Sequence, residues 1–546
     1  MNIALISTNS SKGGAAMAAQ RVYRGIVKQN PKTNYYVCKQ QEESHKLNGN
    51  FLYNPQIESS IQLDYIQQHR SALSDTLFSM SFYTSKISQL IEENDIINLH
   101  WIESCISLNN FEELANSGKP VVWTLHDMKP FTGGCHYSAG CEAYVSGCFN
   151  CLQLKEDPMR LTSKVLELKR LLIQGMNITV ISPSRWLAEQ ARKSVVFAEK
   201  RIEVIPNGID HHVLKPMDKK SAKKHFNIDA KKIVILFGAD NQGSGRKGYK
   251  ELKAAIEINK EHLKRLNCVA LFFGLNSNDD LALETYDAGY IKSEEELKIL
   301  YSAADMFVIP SLEDNFPNTI LESMACGTPV IGFDTGGIGE IVDYGVGTVV
   351  PKGDVRSLAD AIVEFASNQS KRETCGKNAR VLIENRYTLE IQAQKYLKLF
   401  DQLKWRSNSQ KIDCDIFTTL DSLAGYLMRK NKKRDQSLLF SQQFSNLYGD
   451  IEKLKLDNKK YVVYGAGTFG KLVNFVLSKQ IVLVVDRASK IICSRPEHGV
   501  VYNPQSLLNI DFDNIVIAVL GREKEIVEYL VHLLKIDEEK IIIFTT

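Results

Sequence analysis

Residues 305–337 constrain the fold more than any other stretch. Asp305-Met306-Phe307-Val308-Ile309 is a short apolar run stopped by Pro310, the pattern of a central strand in a parallel sheet. Pro317 carries the fixed φ of a first helical position and Gly327 suits the residue just past a helix end, so a helix fills the interval. Ile320, Leu321 and Met324 form its buried face, which points Glu322 elsewhere. Residues 329–333 resume as the next strand. The loop between the first strand and the helix holds Glu313 and Asp314 at a strand's carboxyl end, where open α/β sheets bind ligands. Glu322 lies two turns on, and Gly336-Gly337 follow the second strand. Spacing alone fits a ligand crevice and a solvated acidic loop with a surface glutamate equally well.

At 546 residues the chain is too long for one core and calls for two or three domains. Lys+Arg 67 against Asp+Glu 64 leaves a formal charge of +3, which argues against a nucleic-acid partner. There is no 18-residue apolar run to span a bilayer. The start, MNIALIST, reads as a strand without a basic region or cleavage site. With eleven cysteines, an odd number, the expectation is a reducing cytoplasm and no disulfide scaffold.

The first half repeats the strand–loop–helix theme. Residues 2–7 form a buried strand, a loop ends in Gly13-Gly14, and Ala15, Ala18, Ala19, Val22 and Ile26 then recur at helical spacing. Backbone N–H groups at such a helix start can face an anion, although two glycines in a loop are more often a tight turn. Residues 95–99, 120–125 and 178–181 supply further strands, the second ending in His126-Asp127. That pair suits a site, and equally a histidine that satisfies local backbone groups. Cys135, Cys141, Cys148 and Cys151 follow within 17 positions, and the last two have the C-x2-C spacing of a zinc knuckle. Four thiolates can close a structural zinc site and pin a glycine-rich loop; unligated buried thiols or a redox-labile pair are the alternatives.

A second doubly wound pattern opens at residues 233–238. A loop with Gly243 and Gly245 leads to Arg246-Lys247-Gly248, with Tyr249, Leu252 and Ile256 on the helix beyond. Two cations at a helix start reinforce its partial positive charge and can neutralise a diphosphate without a metal; a solvated basic turn is the plain alternative. Residues 269–274 form a strand, 293–303 an acidic helix, and 388–403 an amphipathic one.

Taken together, the acidic stretch 310–337, Arg246-Lys247, the His126 strand end and the Gly13-Gly14 loop resemble retaining GT-B glycosyltransferases of the family 4 type. The resemblance covers residues 1 to about 405. It implies an α/β fold with two Rossmann-like doubly wound domains facing a cleft: an acceptor-side domain over 1–212 with a Cys-rich loop at 133–152, a donor domain over 213–387, and a helix at 388–405 that returns to the first domain. It also implies transfer of a sugar from a UDP- or GDP-type nucleotide sugar to an acceptor hydroxyl with retention, in polysaccharide or glycan synthesis, with no metal needed for catalysis. In similar enzymes two carboxylates eight positions apart hold donor sugar and ribose; these fall on Asp314 and Glu322. Glutamate is the commoner residue at the first position, and Glu313 stands beside it. By the same resemblance Arg246 and Lys247 bind the diphosphate, the Gly13-Gly14 and Gly336-Gly337 loops approach the donor, and His126 positions substrate. The acceptor in this reading is a sugar, lipid-linked in one form of it. Two other functions fit the fold: a phosphorylase that uses inorganic phosphate, and a nucleotide-sugar sensor without turnover.

The remainder is a polar stretch, 406–458, and a tail, 459–546. The run Arg429-Lys430-Asn431-Lys432-Lys433-Arg434 reads as a solvated linker ahead of peripheral contact with anionic lipid on the inner membrane face. In the tail Gly465, Gly467 and Gly470 follow a strand as G-x-G-x-x-G, with Asp486 at the end of the next strand. It resembles the small Rossmann-like modules appended to sugar-modifying enzymes, with dinucleotide, another nucleotide or no ligand all open.

Overall fold

The computed structural model describes residues 1–9, 13–39, 66–67, 69–71, 87–103, 105–106, 108–157, 160–238, 245–274, 281–342, 344–404, 454, 459–464, 481–485, 501–518 and 523–543. The expectations for Gly243, the linker 406–458 with its basic run, the glycines Gly465, Gly467 and Gly470, and Asp486 lie outside these residues. Two compact units emerge, one holding two sheets and the other a third.

The first sheet consists of β1 (Ile3–Asn9), β2 (Thr33–Lys39), β3 (Ile96–Leu99), β4 (Val121–Thr124), β5 (Ile178–Ser182) and β6 (Arg201–Val204). All its pairings are parallel, in the order β2-β1-β3-β4-β5-β6. β1, β3, β4 and β5 are buried almost throughout, as continuous apolar runs between two helical layers should be.

The second sheet is built from β7 (Ile233–Gly238), β8 (Cys268–Phe273), β9 (Thr285–Asp287), β10 (Met306–Ile309), β11 (Val330–Asp334) and β12 (Gly347–Pro351). It too is all parallel, in the order β12-β11-β10-β7-β8-β9. The chain winds outward in one direction from β7 and in the other from β10. The strand order therefore reverses between these two neighbours, and a crevice opens at their carboxyl ends. Arg246 and Lys247 follow β7, while Glu313 and Asp314 follow β10. Topology thus brings the two pairs together from 67 residues apart.

The helix Asn318–Ala325 joins β10 to β11. Pro317, with φ −62 and ψ 122, is its cap, one position earlier than the first-turn placement expected, because its ψ is extended. Gly327 ends the helix with φ +73, a conformation that L side chains rarely adopt. Ile320, Leu321 and Met324 are buried as expected, and so is Glu322, which reaches across to the first domain.

The helix Leu389–Lys404 leaves the second domain and packs on the first. Ala393, Tyr396, Leu399, Phe400 and Leu403 join one core with Ile3, Leu5, Ala19, Val22 and Ile26. The two crossings between domains lie side by side: Ile209 pairs in parallel with Thr388, with its N–H on Tyr387 O at 2.8 Å and its carbonyl accepting from Leu389 N–H at 3.2 Å.

The second unit carries β13 (Tyr461–Tyr464), β14 (Ile481–Val485), β15 (Val501–Tyr502), β16 (Asn514–Ile517) and β17 (Ile541–Ile543), all parallel, in the order β15-β14-β13-β16-β17. Among the described residues no helix is long and apolar enough to cross a membrane.

Candidate active site

The loops after β7 and β10 meet in an ion cluster. Lys247 Nζ lies 2.7 Å from Asp314 Oδ2, and Arg246 Nη1 is 3.6 Å from the same oxygen while donating to Glu313 O at 2.7 Å. Burial works against charge on Asp314, yet Lys247 and Arg246 outweigh it and hold the carboxyl below the usual range. Burial instead pushes the Glu313 carboxyl up. Asp314 is therefore the firmer anion of the pair. The paired glycines after β11 make this loop possible: Gly336 has φ +58, and a Cβ on it would stand 1.7 Å from Asp314 O. Gly337 N–H donates to that same carbonyl at 3.1 Å.

The first domain supplies the facing wall. Its Cys-rich loop inserts Tyr137, whose hydroxyl donates to Asp314 Oδ1 at 3.4 Å and accepts from Asn315 N–H at 3.2 Å. Two residues on, Ala139 N–H donates to Glu313 Oε2 at 2.9 Å. Ser184 donates to Asn315 Oδ1 at 2.6 Å, and Asn315 Nδ2 donates to the His126 carbonyl at 3.2 Å. Asn318 Nδ2 reaches Gly14 O at 2.9 Å, which brings the first glycine loop to the same crevice, with Gly13 at φ +90 capping the helix Gly14–Gln29.

Glu322 is placed by Arg21, a residue outside every motif of the sequence. Arg21, buried in the helix Gly14–Gln29, donates from Nη2 to Glu322 Oε1 at 2.9 Å and from Nε to Glu294 Oε1 at 3.2 Å. Tyr301 donates to Glu322 Oε2 at 3.2 Å. Arg24 extends the network, from Nη1 to Glu294 Oε2 at 2.8 Å and from Nη2 to Asp210 Oδ2 at 2.7 Å. The signal for Arg21 lay in its spacing: it shares a helix face with Ala18, Val22 and Gly25, all buried, and a cation on such a face needs a counter-ion.

His126 turns its ring inward, with Nε2 3.1 Å from Nδ1 of His100, whose own Nε2 is 3.1 Å from Asn98 Nδ2. Burial lowers the His126 pKa to about 4 against the opposing pull of Asp127, and burial with His126 alongside lowers that of His100 well below its ordinary value. This pair is neutral at physiological pH. Asp127 accepts from Trp101 Nε1 at 3.1 Å and from Lys129 N–H at 2.9 Å. A crevice between the ends of β3 and β4 is lined by Trp101, Trp123, Glu103, Asp127 and Lys129.

All four thiols of the Cys-rich loop are reduced and lie within electrostatic reach of one another. Burial pushes Cys135 up to about 12 and Cys148 up to about 11. Gly133 N–H donates to Cys148 Sγ at 3.3 Å and Ala143 N–H to Cys141 Sγ at 3.5 Å. The buried Lys169 ammonium beside Cys135 and Cys148 donates to the carbonyls of Lys129 and Thr132. Among the described residues no three His, Cys, Asp or Glu side chains are grouped so as to hold a metal ion.

Two doubly wound domains with a crevice between them and a final helix returned to the first make up the GT-B fold. In keeping with this, residues 218–382 match the family of glycosyl transferases group 1, and residues 457–542 match the family described as C2185-like, N-terminal. Among curated relatives, D-inositol 3-phosphate glycosyltransferase of Thermobispora bispora is 30% identical over 187 residues, which are 32% of this chain and 44% of that protein. An N,N'-diacetylbacillosaminyl-diphospho-undecaprenol alpha-1,3-N-acetylgalactosaminyltransferase of Campylobacter jejuni is 29% identical over 185 residues, 33% of this chain and 47% of that one. The chain thus spans about half the length of these relatives. Sucrose-phosphate synthase from Thermosynechococcus elongatus superposes with a TM-score of 0.52 at 20% identity, covering 74% of this chain and 99% of that structure, a likeness of fold.

Proposed function

We propose that the protein is a retaining glycosyltransferase that moves a sugar from a UDP- or GDP-type nucleotide sugar to an acceptor hydroxyl in cell-surface polysaccharide or glycan synthesis. The observation that carries this reading is the convergence of Arg246, Lys247, Glu313 and Asp314 at the switch point of the second sheet, closed over by the first domain. A cation pair already balanced by one carboxylate can exchange that partner for a diphosphate and stabilise the charge that develops as the sugar departs. In this scheme Arg246 and Lys247 take the diphosphate, Asp314 with Glu313 orients the donor sugar, and Glu322 contacts the ribose after partial release from Arg21. The Gly13-Gly14 and Gly336-Gly337 loops line the donor's approach. His126, neutral and tied to His100, shapes the crevice without moving a proton. The aromatic crevice beside Asp127 suits an acceptor sugar, and the undecaprenol-linked substrate named for the Campylobacter relative supports a lipid-linked acceptor.

We also propose a structural zinc on Cys135, Cys141, Cys148 and Cys151, with no metal used in transfer. Mutual proximity of the thiols, N–H donors on two sulfurs and a buried ammonium beside the cluster support it. Among the described residues these thiols are not grouped so as to hold a metal ion, so the proposal requires them to rearrange on uptake.

Incubation with a panel of UDP- and GDP-sugars plus a polyprenyl-diphosphate saccharide tests the activity. The expected result is nucleotide release, a product one sugar heavier by mass spectrometry, and an unchanged anomeric configuration by NMR. Turnover that requires inorganic phosphate would indicate a phosphorylase. Tight donor binding with no release from any combination would indicate a sensor.

A further inference from the structure

One residue touches both the cationic and the acidic half of the crevice, and it comes from the Cys-rich loop. The ring of Tyr137 lies 4.2 Å from the Arg246 guanidinium, its hydroxyl meets Asp314 and Asn315 N–H, and its aromatic neighbours are the His136 ring, tilted at 4.8 Å, and the indole of Trp186, nearly parallel at 6.4 Å. The side chain is buried, and burial with Asp314 alongside keeps the phenol protonated far above neutral pH. Its placement is enforced from the loop: Gln153 Nε2 donates to the Tyr137 carbonyl at 2.9 Å, and the N–H of Ala139, at φ +51, is fixed on Glu313.

We propose that Tyr137 is a positioning residue of the donor site. Its O–H selects one orientation of the Asp314 carboxylate, and its face holds the Arg246 guanidinium flat, so that both groups are aimed before the donor arrives. The inference rests on the glycosyltransferase reading. It adds that the Cys-rich loop of the acceptor-side domain completes a donor site built on the other domain.

The test separates the two parts of the side chain. Tyr137→Phe keeps the ring and removes the O–H: kcat should fall about tenfold with the donor KM within about twofold, since the lost contact orients a group and does not bind the nucleotide. Tyr137→Leu removes the stacked face as well, and Kd for UDP or GDP, measured by calorimetry, should rise a further tenfold or so. Tyr137→Trp should restore nucleotide affinity without restoring kcat. Thermal midpoints of Tyr137→Phe and the parent should coincide. If both Phe and Leu variants keep kcat, KM and Kd within about twofold of the parent, Tyr137 is a packing residue and the proposal fails while the enzyme reading stands. A parent that neither transfers sugar nor binds UDP or GDP would overturn the functional reading, and the role of Tyr137 with it.

Discussion

Replacing Arg21 by methionine keeps most of the side chain's apolar length and removes one charge from a buried network of five. Arg21 and Arg24 balance Glu294, Glu322 and Asp210 to a net charge of −1, and the substitution makes it −2. Glu322 is then left with the Tyr301 hydroxyl as its partner, while Glu294 keeps Arg24, which is 34% exposed and screened by water. Breaking a buried pair by removing one partner costs about 3–5 kcal/mol. The expected loss is therefore about 3–5 kcal/mol. Adding Glu322→Gln should return at least about 1.5 kcal/mol of it, since the amide needs no counter-ion. Guanidinium unfolding followed by tryptophan fluorescence suits the measurement, because three of the four tryptophans, Trp101, Trp123 and Trp186, lie in the first domain. A loss under about 1 kcal/mol for Arg21→Met, with the second substitution simply additive, would refute the claim that Arg21 neutralises Glu322.

Three further predictions follow from the geometry. His126 stays neutral in the folded protein down to about pH 4, whereas in the unfolded chain it protonates near pH 6.5, and burial shifts His100 in the same direction. Lowering the pH from 6.5 to 4 should therefore remove stability at about 1.4 kcal/mol per unit for His126, and His126→Asn should take that share out of the slope in urea titrations at successive pH values. An unchanged slope would mean that His126 protonates freely. Gly336→Ala should cut kcat/KM more than about a hundredfold by pushing the Asp314 loop aside, while Gly353→Ala, at φ +77 with no atom within 4 Å of the added Cβ, should cost about 1 kcal/mol and leave the rate intact. Elemental analysis of freshly purified, reduced protein should return about one zinc per chain; less than about half an equivalent would leave the four cysteines as plain buried thiols.

The buried centre of the fold was legible because central parallel strands are continuous apolar runs. β7, β8, β10 and β11 were anticipated to within a residue or two, and the strand order that follows put Lys247 on Asp314. Edge strands were not. β2 alternates, burying Tyr35 and Val37 while Asn34 faces water, and β9 is a half-exposed Thr-Tyr-Asp with no apolar run to find. Within the site, residues at strand ends could be placed from the chain alone, since strand ends are where open sheets bind. Arg21 and Tyr137 could not. The spacing of Arg21 on a buried face calls for a counter-ion without naming it, and Tyr137 sits in a loop without periodicity, so only the closure of one domain on the other reveals what they touch.

The side-by-side crossings at Ile209 and Thr388 limit how the crevice can open. A single connecting segment would act as a swivel, free to twist and splay. Two backbones laced together by reciprocal N–H···O=C bonds resist torsion about their length and bend chiefly in one plane. Such a paired hinge predicts a clamshell stroke about an axis near Ile209, in which the Arg21–Glu322 and Tyr137–Asp314 contacts separate and re-form together.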